Sequence, residues 1–230
     1  MPSPDPGVDS NKTDRSRAAV RRTYESIGDH FSKTREYAWP EVESFVDESG
    51  GGVGTALDVG CGNGRHAELL AAVADSVIGL DASRALLAAA TDRVGDDVAL
   101  LQGDATRLPL DDGCIDLAVY VATLHHLPSQ SARRASLDDL ARVLAPDARA
   151  LVSAWSTAHD RFDADSDADT GFDTTVDWTL PGGETVPRFY HIYSPAEFKQ
   201  DIAASDLELV SMELSSGNCY GVVELEGKRT

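Results

Sequence analysis

Basic residues are scarce in this sequence, lysine above all, and long apolar runs are missing from it. Lysine occurs only at positions 12, 33, 199 and 228, and 20 basic residues stand against 39 acidic ones, for a formal net charge of −19. No apolar run approaches the ~20 residues that a membrane-spanning helix needs, so no span is expected. An acidic, lysine-poor surface suits a cytoplasm of molar salt, where the Debye length is ~3 Å and self-repulsion is screened. We interpret the charge as a halophilic adaptation; an acidic protein that avoids nucleic acid is the alternative.

Cysteine is also scarce. Cys61, Cys114 and Cys219 are odd in number and far apart, and no C-x-x-C pair occurs. This pattern argues against a disulfide framework and against a zinc site, so no metal is expected. The N-terminus has neither a basic region nor an apolar stretch, which predicts no signal peptide and a cytoplasmic protein.

The length of 230 residues predicts one domain with modest additions. Residues 1–13 are rich in proline, serine and aspartate and are expected to be a disordered tail. Residues 14–230 are predicted to form the single domain. Within it, residues 14–48 are predicted to be N-terminal lid helices, and residues 159–187 an acidic insertion.

A glycine-rich turn, LDVGCGNG at residues 57–64, is the feature around which the chain is organised. It follows an apolar strand and precedes a helical run, and its glycines, Gly60, Gly62 and Gly64, let the backbone approach a ligand closely. The spacing is G-x-G-x-G, not the G-x-G-x-x-G of pyrophosphate-binding folds. Asp58 would repel a diphosphate but could accept a hydrogen bond from an ammonium group. The turn therefore favours a nucleoside that carries an amino acid; a simple tight turn is the alternative.

Two further acidic residues follow later strands. Asp81 ends the next apolar strand about twenty residues on, where a carboxylate accepts from ribose hydroxyls; it could equally cap the helix that follows. Asp104 and Ala105 follow a third strand, 98–101, where an adenine amino group would lie. The order of strands and helices predicts a parallel α/β sheet with ligands at the carboxyl ends of the strands.

Taken together, this order of motifs resembles the class I S-adenosylmethionine-dependent methyltransferases. The resemblance implies an α/β, Rossmann-like fold with a seven-stranded sheet of order 3-2-1-4-5-7-6 and flanking helices. It also implies S-adenosylmethionine as the cofactor. The residues expected to hold it are Tyr24 (on the lid), Asp58, Gly60, Gly62, Gly64, Asp81, Asp104 and Ala105.

Several rarer motifs point to a narrower family. HFS at 30–32, TR at 34–35, WP at 39–40, W-x-L-P at 178–181 and RFYHIY at 188–193 occur in this order. In this set the chain resembles the tRNA wobble-uridine carboxymethyl methyltransferases. It departs from that family in its short acidic insertion and in Cys219-Tyr220, where the family has two tryptophans. These departures put substrate affinity and substrate identity in question.

This second resemblance implies esterification of a 5-carboxymethyl group on the wobble uridine of tRNA. It also implies a heterodimer with a small zinc-binding activator protein, for which the edge strand at 98–101 is the expected contact. The residues proposed for catalysis are Arg35, His125, His126, Arg188 and His191. Arg35 or Arg188 would grip the acceptor carboxylate, and the other could hold the carboxylate of the cofactor. One of the two adjacent histidines would pack under the cofactor, and His191 would contact the uracil.

Two other functions remain open from the sequence. One is a small-molecule O- or C-methyltransferase; the other is an inactive regulatory subunit that binds the cofactor. The sequence also leaves open which modified uridine is the acceptor and whether the chain is stable or active without its partner. The arginine cluster at 15–22 fits a solvated helix face or a polyanion contact equally well.

Overall fold

The computed structural model describes residues 15–162 and 168–227. The predicted disordered tail, residues 1–13, lies outside the described residues, and so does part of the predicted acidic insertion. Within the described ranges, no helix is long and apolar enough to cross a membrane.

Nine strands and six α-helices alternate along the described chain. The strands are β1 Val53–Val59, β2 Ala74–Asp81, β3 Ala99–Gln102, β4 Ile115–Tyr120, β5 Leu144–Trp155, β6 Phe172–Thr179, β7 Thr185–Ile192, β8 Leu207–Ser215 and β9 Asn218–Leu225. The helices are α1 Arg17–Ser32, α2 Pro40–Glu48, α3 Arg65–Leu70, α4 Arg84–Val94, α5 Gln130–Val143 and α6 Pro195–Ala203.

Seven of these strands form one sheet in the order β3-β2-β1-β4-β5-β9-β8. The first five are mutually parallel, and β9 pairs antiparallel with both β5 and β8. Since β8 and β9 are the sixth and seventh strands of this sheet, the predicted order 3-2-1-4-5-7-6 is confirmed. The carboxyl ends of β1, β2 and β4 meet at one edge, where ligands bind in such sheets.

Helices cover both faces of the sheet. On one face, Leu137 and Leu140 of α5 and Phe198 and Ile202 of α6 belong to a large apolar cluster with the strands. On the other face, α2 and α3 contribute to a second cluster. Strands that are buried on both sides are expected to be apolar throughout, and β4 is buried at five of its six positions.

The hairpin of β6 and β7 forms a separate two-stranded sheet, with Phe172 paired to Ile192 and Thr179 to Thr185. Residues 172–176, which composition predicts to be flexible, form the first half of β6. Their polar side chains give no strand signal, but Val176 is buried together with Tyr190 and Ile192 of β7. The partner strand therefore orders a segment that is too polar to indicate its own structure.

Candidate active site

A large cavity lies at the carboxyl ends of β1, β2 and β4, under α1. It encloses about 1050 Å³, counted with the solvent-open space at its mouth. The glycine turn, Asp81, Asp104 and Ala105 line it from the sheet side, and Tyr24 and Arg35 line it from the N-terminal side. The structure therefore brings most of the predicted cofactor residues together.

The glycine turn has a backbone that only glycine adopts easily. Gly60 and Gly62 have φ angles of 73° and 55°. A Cβ on Gly60 would lie 2.1 Å from Oγ1 of Thr123, whereas a Cβ on Gly62 would project into open space. Gly62 therefore leaves room for a ligand, and Gly60 allows the turn to pack against the segment after β4.

Asp81 holds this turn in place. Its Oδ2 accepts from the Gly62 N–H at 2.9 Å, and its Oδ1 accepts from the Ser83 N–H at 2.8 Å. Burial raises the pKa of Asp81, against the lowering effect of these backbone donors. The carboxylate thus connects the glycine turn to the start of α4 and still borders the cavity.

Asp58 lies beneath the turn and is not among the residues that line the cavity. It is 1% exposed, and its Oδ2 has no hydrogen-bond partner among the described residues. Burial, with a contribution from nearby Asp81, raises the pKa of Asp58 to about 7. The structure therefore places this carboxylate where it supports the turn, and not in direct reach of an ammonium group in the cavity.

At the opposite end of the cavity, the carboxylate of Asp104 is already engaged. Its Oδ2 lies 2.5 Å from Nη1 of Arg17, and its Oδ1 accepts from the N–H and hydroxyl of Thr106 at 2.9 and 2.8 Å. Burial would raise the pKa of Asp104, but the Thr106 and Arg17 contacts outweigh it and hold the pKa low. A ligand amino group at Asp104 would therefore compete with Arg17 or share the carboxylate with it.

Glu25 and Asn63 connect the N-terminal segment to the rest of the domain by hydrogen bonds. Neither was among the predicted site residues. Glu25 accepts from the Ser83 hydroxyl at 2.9 Å and from the Arg84 N–H at 2.8 Å, so α1 caps the start of α4. Asn63, inside the glycine turn, donates to the carbonyls of Ser32 and Arg35 at 3.1 and 2.8 Å. Nothing in the sequence around Glu25 distinguishes it from a solvated helix carboxylate.

His126 lines the cavity and connects three elements. Its Nδ1 lies 2.9 Å from the Phe189 carbonyl of β7, and its Nε2 lies 2.8 Å from the Tyr24 hydroxyl of α1. Because a carbonyl only accepts, Nδ1 carries the proton and Nε2 accepts from Tyr24. Burial lowers the pKa of His126 to about 3, so this imidazole is neutral and both nitrogens are occupied.

His125 has a packing position. It is 1% exposed, does not line the cavity, and accepts from the Trp155 N–H through Nδ1 at 3.0 Å. Burial holds its pKa well below the usual range. Of the two adjacent histidines, the structure thus brings only His126 to the cavity.

The guanidinium groups of Arg35 and Arg188 each lie over two aromatic rings, and both contact Trp178. Arg188 lies 4.9 Å from the ring centre of Trp178 and 5.2 Å from that of Tyr190, and Arg35 lies 5.8 Å from Trp178 and 4.7 Å from Phe31. Arg188 is 6% exposed, and its Nε has no hydrogen-bond partner in the part of the chain that the structure describes. Among the described residues, no carboxylate comes within ion-pair distance of either guanidinium. Burial lowers the pKa of Arg35, and Arg188 nearby lowers it further.

His191 is the one proposed catalytic residue that lies on the far side of the hairpin. Both of its ring nitrogens face carboxylates, Asp173 at 2.9 Å and Glu197 at 3.0 Å, and it does not line the cavity. The strand alternation explains the difference, since Arg188 and Tyr190 share one face of β7 and His191 lies on the other. The expected contact between His191 and a uracil is therefore not supported by its position.

The cavity fits a nucleoside that carries an amino acid. The open space at Gly62 and the nearby Asp81 suit the centre of such a ligand, and Asp104 and Ala105 suit its base. Arg35, near Asn63 of the glycine turn, supplies the cation that an amino-acid carboxylate requires.

Comparison with known proteins agrees with this geometry. A family described as "Methyltransferase domain" matches residues 57–152. A putative methyltransferase of Encephalitozoon cuniculi is 30% identical over 207 residues, which are 89% of this chain and 94% of that protein. The chain belongs to the class I S-adenosylmethionine-dependent methyltransferases. Its fold and its cofactor are those that the sequence predicted.

Two other similar proteins bear on the activity of this methyltransferase. The tRNA (carboxymethyluridine(34)-5-O)-methyltransferase of Arabidopsis thaliana is 36% identical over 137 residues, or 60% of this chain. The chain spans 20–32% of the length of four curated relatives with that name. A solved complex of the Haloferax volcanii Trm112 methyltransferase activator with a putative methyltransferase has a TM-score of 0.62 at 14% identity, covering 89% of this chain and 98% of that one. At this identity the likeness shows the fold alone.

Proposed function

We propose that this enzyme transfers the methyl group of S-adenosylmethionine to the carboxylate of a 5-carboxymethyl group on the wobble uridine of tRNA, giving the methyl ester. The observation that carries the proposal is the pair of guanidinium groups of Arg35 and Arg188, which lie 5.8 and 4.9 Å from the ring centre of Trp178. Arg35 lines the cavity and Arg188 does not, but both guanidinium groups contact Trp178, and no carboxylate of the described residues lies within ion-pair distance of either. A buried cation without a counter-charge is costly, and a carboxylate ligand removes that cost.

The two arginines have different neighbours, which suggests different ligands. Arg35 lines the cavity next to the glycine turn, through the hydrogen bond from Asn63 to its carbonyl. Arg188 lies over the ring of Tyr190. It is also close to Tyr24, where its charge lowers the pKa of the phenol, although burial raises that pKa by more. We therefore assign Arg35 to the carboxylate of the cofactor and Arg188 to the carboxylate of the acceptor.

The cofactor would be held by the residues of the cavity. Gly60, Gly62 and Gly64 shape the turn, with Asp58 supporting it from beneath; Asp81 would accept from the ribose hydroxyls, and Asp104 and Ala105 would contact the adenine. Tyr24 closes the cavity from α1. S-adenosylmethionine held there would supply an electrophilic methyl group to the acceptor oxygen and would leave as the neutral thioether.

The protonation states of the site suit a carboxylate acceptor. A carboxylate is ionised at pH 7 and needs no general base, whereas an amine or alcohol acceptor must lose a proton. His126 is neutral, but its acceptor nitrogen already accepts a hydrogen bond from the Tyr24 hydroxyl, and His125 lies outside the cavity. The residues therefore contribute positioning and electrostatic stabilisation of the acceptor rather than proton transfer.

The names of several relatives support tRNA as the substrate. Recognition would depend on stacking and hydrogen bonds to an unpaired base, because phosphate contacts weaken steeply with salt and the net charge of this chain is −19.

We also propose that the enzyme is cytoplasmic in a halophilic cell. Residues 14–230 would form one domain, with residues 14–48 as the lid and 159–187 as an acidic insertion.

A small zinc-binding activator protein is the proposed partner. β3 is an edge strand of the seven-stranded sheet, and Leu100 and Leu101 within it are only partly buried. Such an edge can accept a strand from another chain. Leu100→Asp should abolish co-purification with the activator, because a charge would enter the covered apolar surface; an intact complex would exclude this edge. Glu226→Asp, at the far side of the sheet, is the control.

The acceptor can be tested with two anticodon stem-loops that differ in one group. One carries 5-carboxymethyluridine at the wobble position, and the other carries the neutral amide, 5-carbamoylmethyluridine. With labelled cofactor and the activator in molar salt, only the carboxylate stem-loop should gain label. Equal labelling of both would exclude methyl transfer to the carboxylate.

A further inference from the structure

A chain of ion pairs, buried at its centre, lies behind the hairpin of β6 and β7, outside the cavity. His191 is its centre: Nδ1 lies 2.9 Å from Oδ1 of Asp173, and Nε2 lies 3.0 Å from Oε1 of Glu197. His191 is 6% exposed, so water does not replace these contacts. The ring of Tyr193 packs edge-on against the imidazole at 4.8 Å.

Hydrogen-bond chemistry decides the charge of this imidazole. A neutral histidine has one N–H and one acceptor nitrogen. Its acceptor nitrogen would then point a lone pair at a carboxylate oxygen, which can only accept, and no hydrogen bond would form there. Each carboxylate has a further donor, so both act as acceptors towards His191: Asp173 pairs with Arg15 at 3.1 Å, and Glu197 accepts from Arg133 at 3.0 Å and from the Gly171 N–H at 2.6 Å. Both nitrogens of His191 must therefore donate, which makes the group an imidazolium.

With this charge, cations and anions alternate without a break. Two further contacts complete the series: Arg133 to Asp201 at 3.6 Å and Arg134 to Asp201 at 2.8 Å. In order, the members of this ion chain are Arg15, Asp173, His191, Glu197, Arg133, Asp201 and Arg134. They belong to the segment before α1, to β6, β7, α6 and α5. A neutral His191 would leave two anions facing each other across an uncharged ring.

The ion chain fixes the part of the hairpin that carries Arg188. The hairpin shares no strand pairing with the seven-stranded sheet, apart from an isolated bridge between Ser156 and Tyr193. His191 is three residues from Arg188 on the same strand and is held from behind by α6. A shift of β7 would therefore move Arg188 and Tyr190 relative to the cavity.

We propose that His191 is a protonated positioning residue that clamps β7 between Asp173 and Glu197 and so fixes Arg188 for the acceptor. The effect on the acceptor rests on the proposed function; the protonation of His191 and its hold on β7 do not. The histidine acts through the hairpin backbone and touches neither cofactor nor acceptor. It gives the RFYHIY motif a role that the sequence analysis did not assign.

The first test needs no substrate. In enzyme labelled with ¹⁵N-histidine at pH 7, His191 should show both ring nitrogens protonated, and the signal should vanish in His191→Gln. Amide hydrogen exchange of β7 should then accelerate at least tenfold in the variant, with the exchange of β1 unchanged. A single ring N–H on His191, or unchanged exchange in β7, would overturn the proposal.

The second test reads out positioning. His191→Gln should raise the KM for acceptor tRNA at least tenfold and leave the cofactor Kd within twofold, whereas the control His159→Gln should change neither. The His191→Gln variant would leave the carboxylate of Asp173 without its cationic partner. Adding Asp173→Asn should therefore reverse part of the rise in KM. An unchanged KM, or a double variant worse than the sum of the single ones, would count against the clamp. If the wild type itself fails to methylate tRNA, the proposed function falls, and the NMR and exchange results alone decide this inference.

Discussion

Replacing Arg188 by methionine should lower kcat/KM strongly and change the free energy of unfolding only slightly. Methionine keeps much of the length and apolar volume of the side chain but removes the charge and the donor fork. Two hydrogen bonds to an ionised acceptor are worth about 1.5–3 kcal/mol each. Their loss amounts to roughly 3–6 kcal/mol of transition-state stabilisation, or about two to four orders of magnitude in kcat/KM.

The folded enzyme should tolerate this change. The buried Nε of Arg188 lacks a partner, which costs about 1–3 kcal/mol, and stacking on Trp178 and Tyr190 offsets this by about 0.5–2 kcal/mol each. The free energy of unfolding should thus change by about 1 kcal/mol or less, which is about 2–4 °C in Tm for a chain of this size.

The assay compares initial rates on tRNA with the cofactor Kd from calorimetry, and unfolding is followed by circular dichroism. Arg84→Met, at an exposed position on α4, serves as the matched control. A loss of kcat/KM below fivefold would refute the assignment of Arg188 to the acceptor. So would a cofactor Kd that rises as much as kcat/KM falls, because Arg188 would then hold the cofactor.

Three further predictions concern the cavity. Asp81→Asn should raise the cofactor Kd at least tenfold in calorimetry, because the amide is a weaker acceptor for the Gly62 N–H and the ribose hydroxyls; an unchanged Kd would contradict the role of Asp81. Arg17→Ala should lower the free energy of unfolding by less than about 1 kcal/mol, since its pair with Asp104 is half-exposed, but should speed cofactor dissociation in stopped-flow measurements. A slower dissociation would contradict the expectation that Arg17 helps to retain the cofactor at the end of the cavity formed by Asp104 and Ala105. The low folded pKa of His126, about 3, means that the unfolded chain binds more protons below pH 6.5. Stability should therefore fall from pH 6.5 towards pH 4, and His126→Phe should flatten this fall in urea titrations at several pH values; an unchanged slope would argue against a buried neutral His126.

Much of the fold follows from local patterns. The glycine turn, the acidic residues that end β2 and follow β3, and the regular alternation of strands and helices are each visible within a dozen residues. Order and direction of the sheet follow from these elements together with the family resemblance.

The parts that could not be predicted depend on contacts between distant segments. The first half of β6 is too polar to indicate a strand, and its order comes from Val176, Tyr190 and the ion chain around His191. In the same way, Asp58 looks like a ligand-binding residue in sequence, and only the three-dimensional path of the turn places it underneath. Residue type predicted the chemistry of these side chains but not the face of the strand on which they lie.

The central claim is that the acceptor is a carboxylate on the wobble uridine of tRNA. The most direct measurement is transfer of labelled methyl from the cofactor to total tRNA in molar salt, with and without the activator protein. With the activator, the label should appear in a uridine nucleoside and be released by mild base, as a methyl ester is. Confirmed cofactor binding with no label in tRNA, despite the activator, would contradict the claim and favour a small-molecule acceptor.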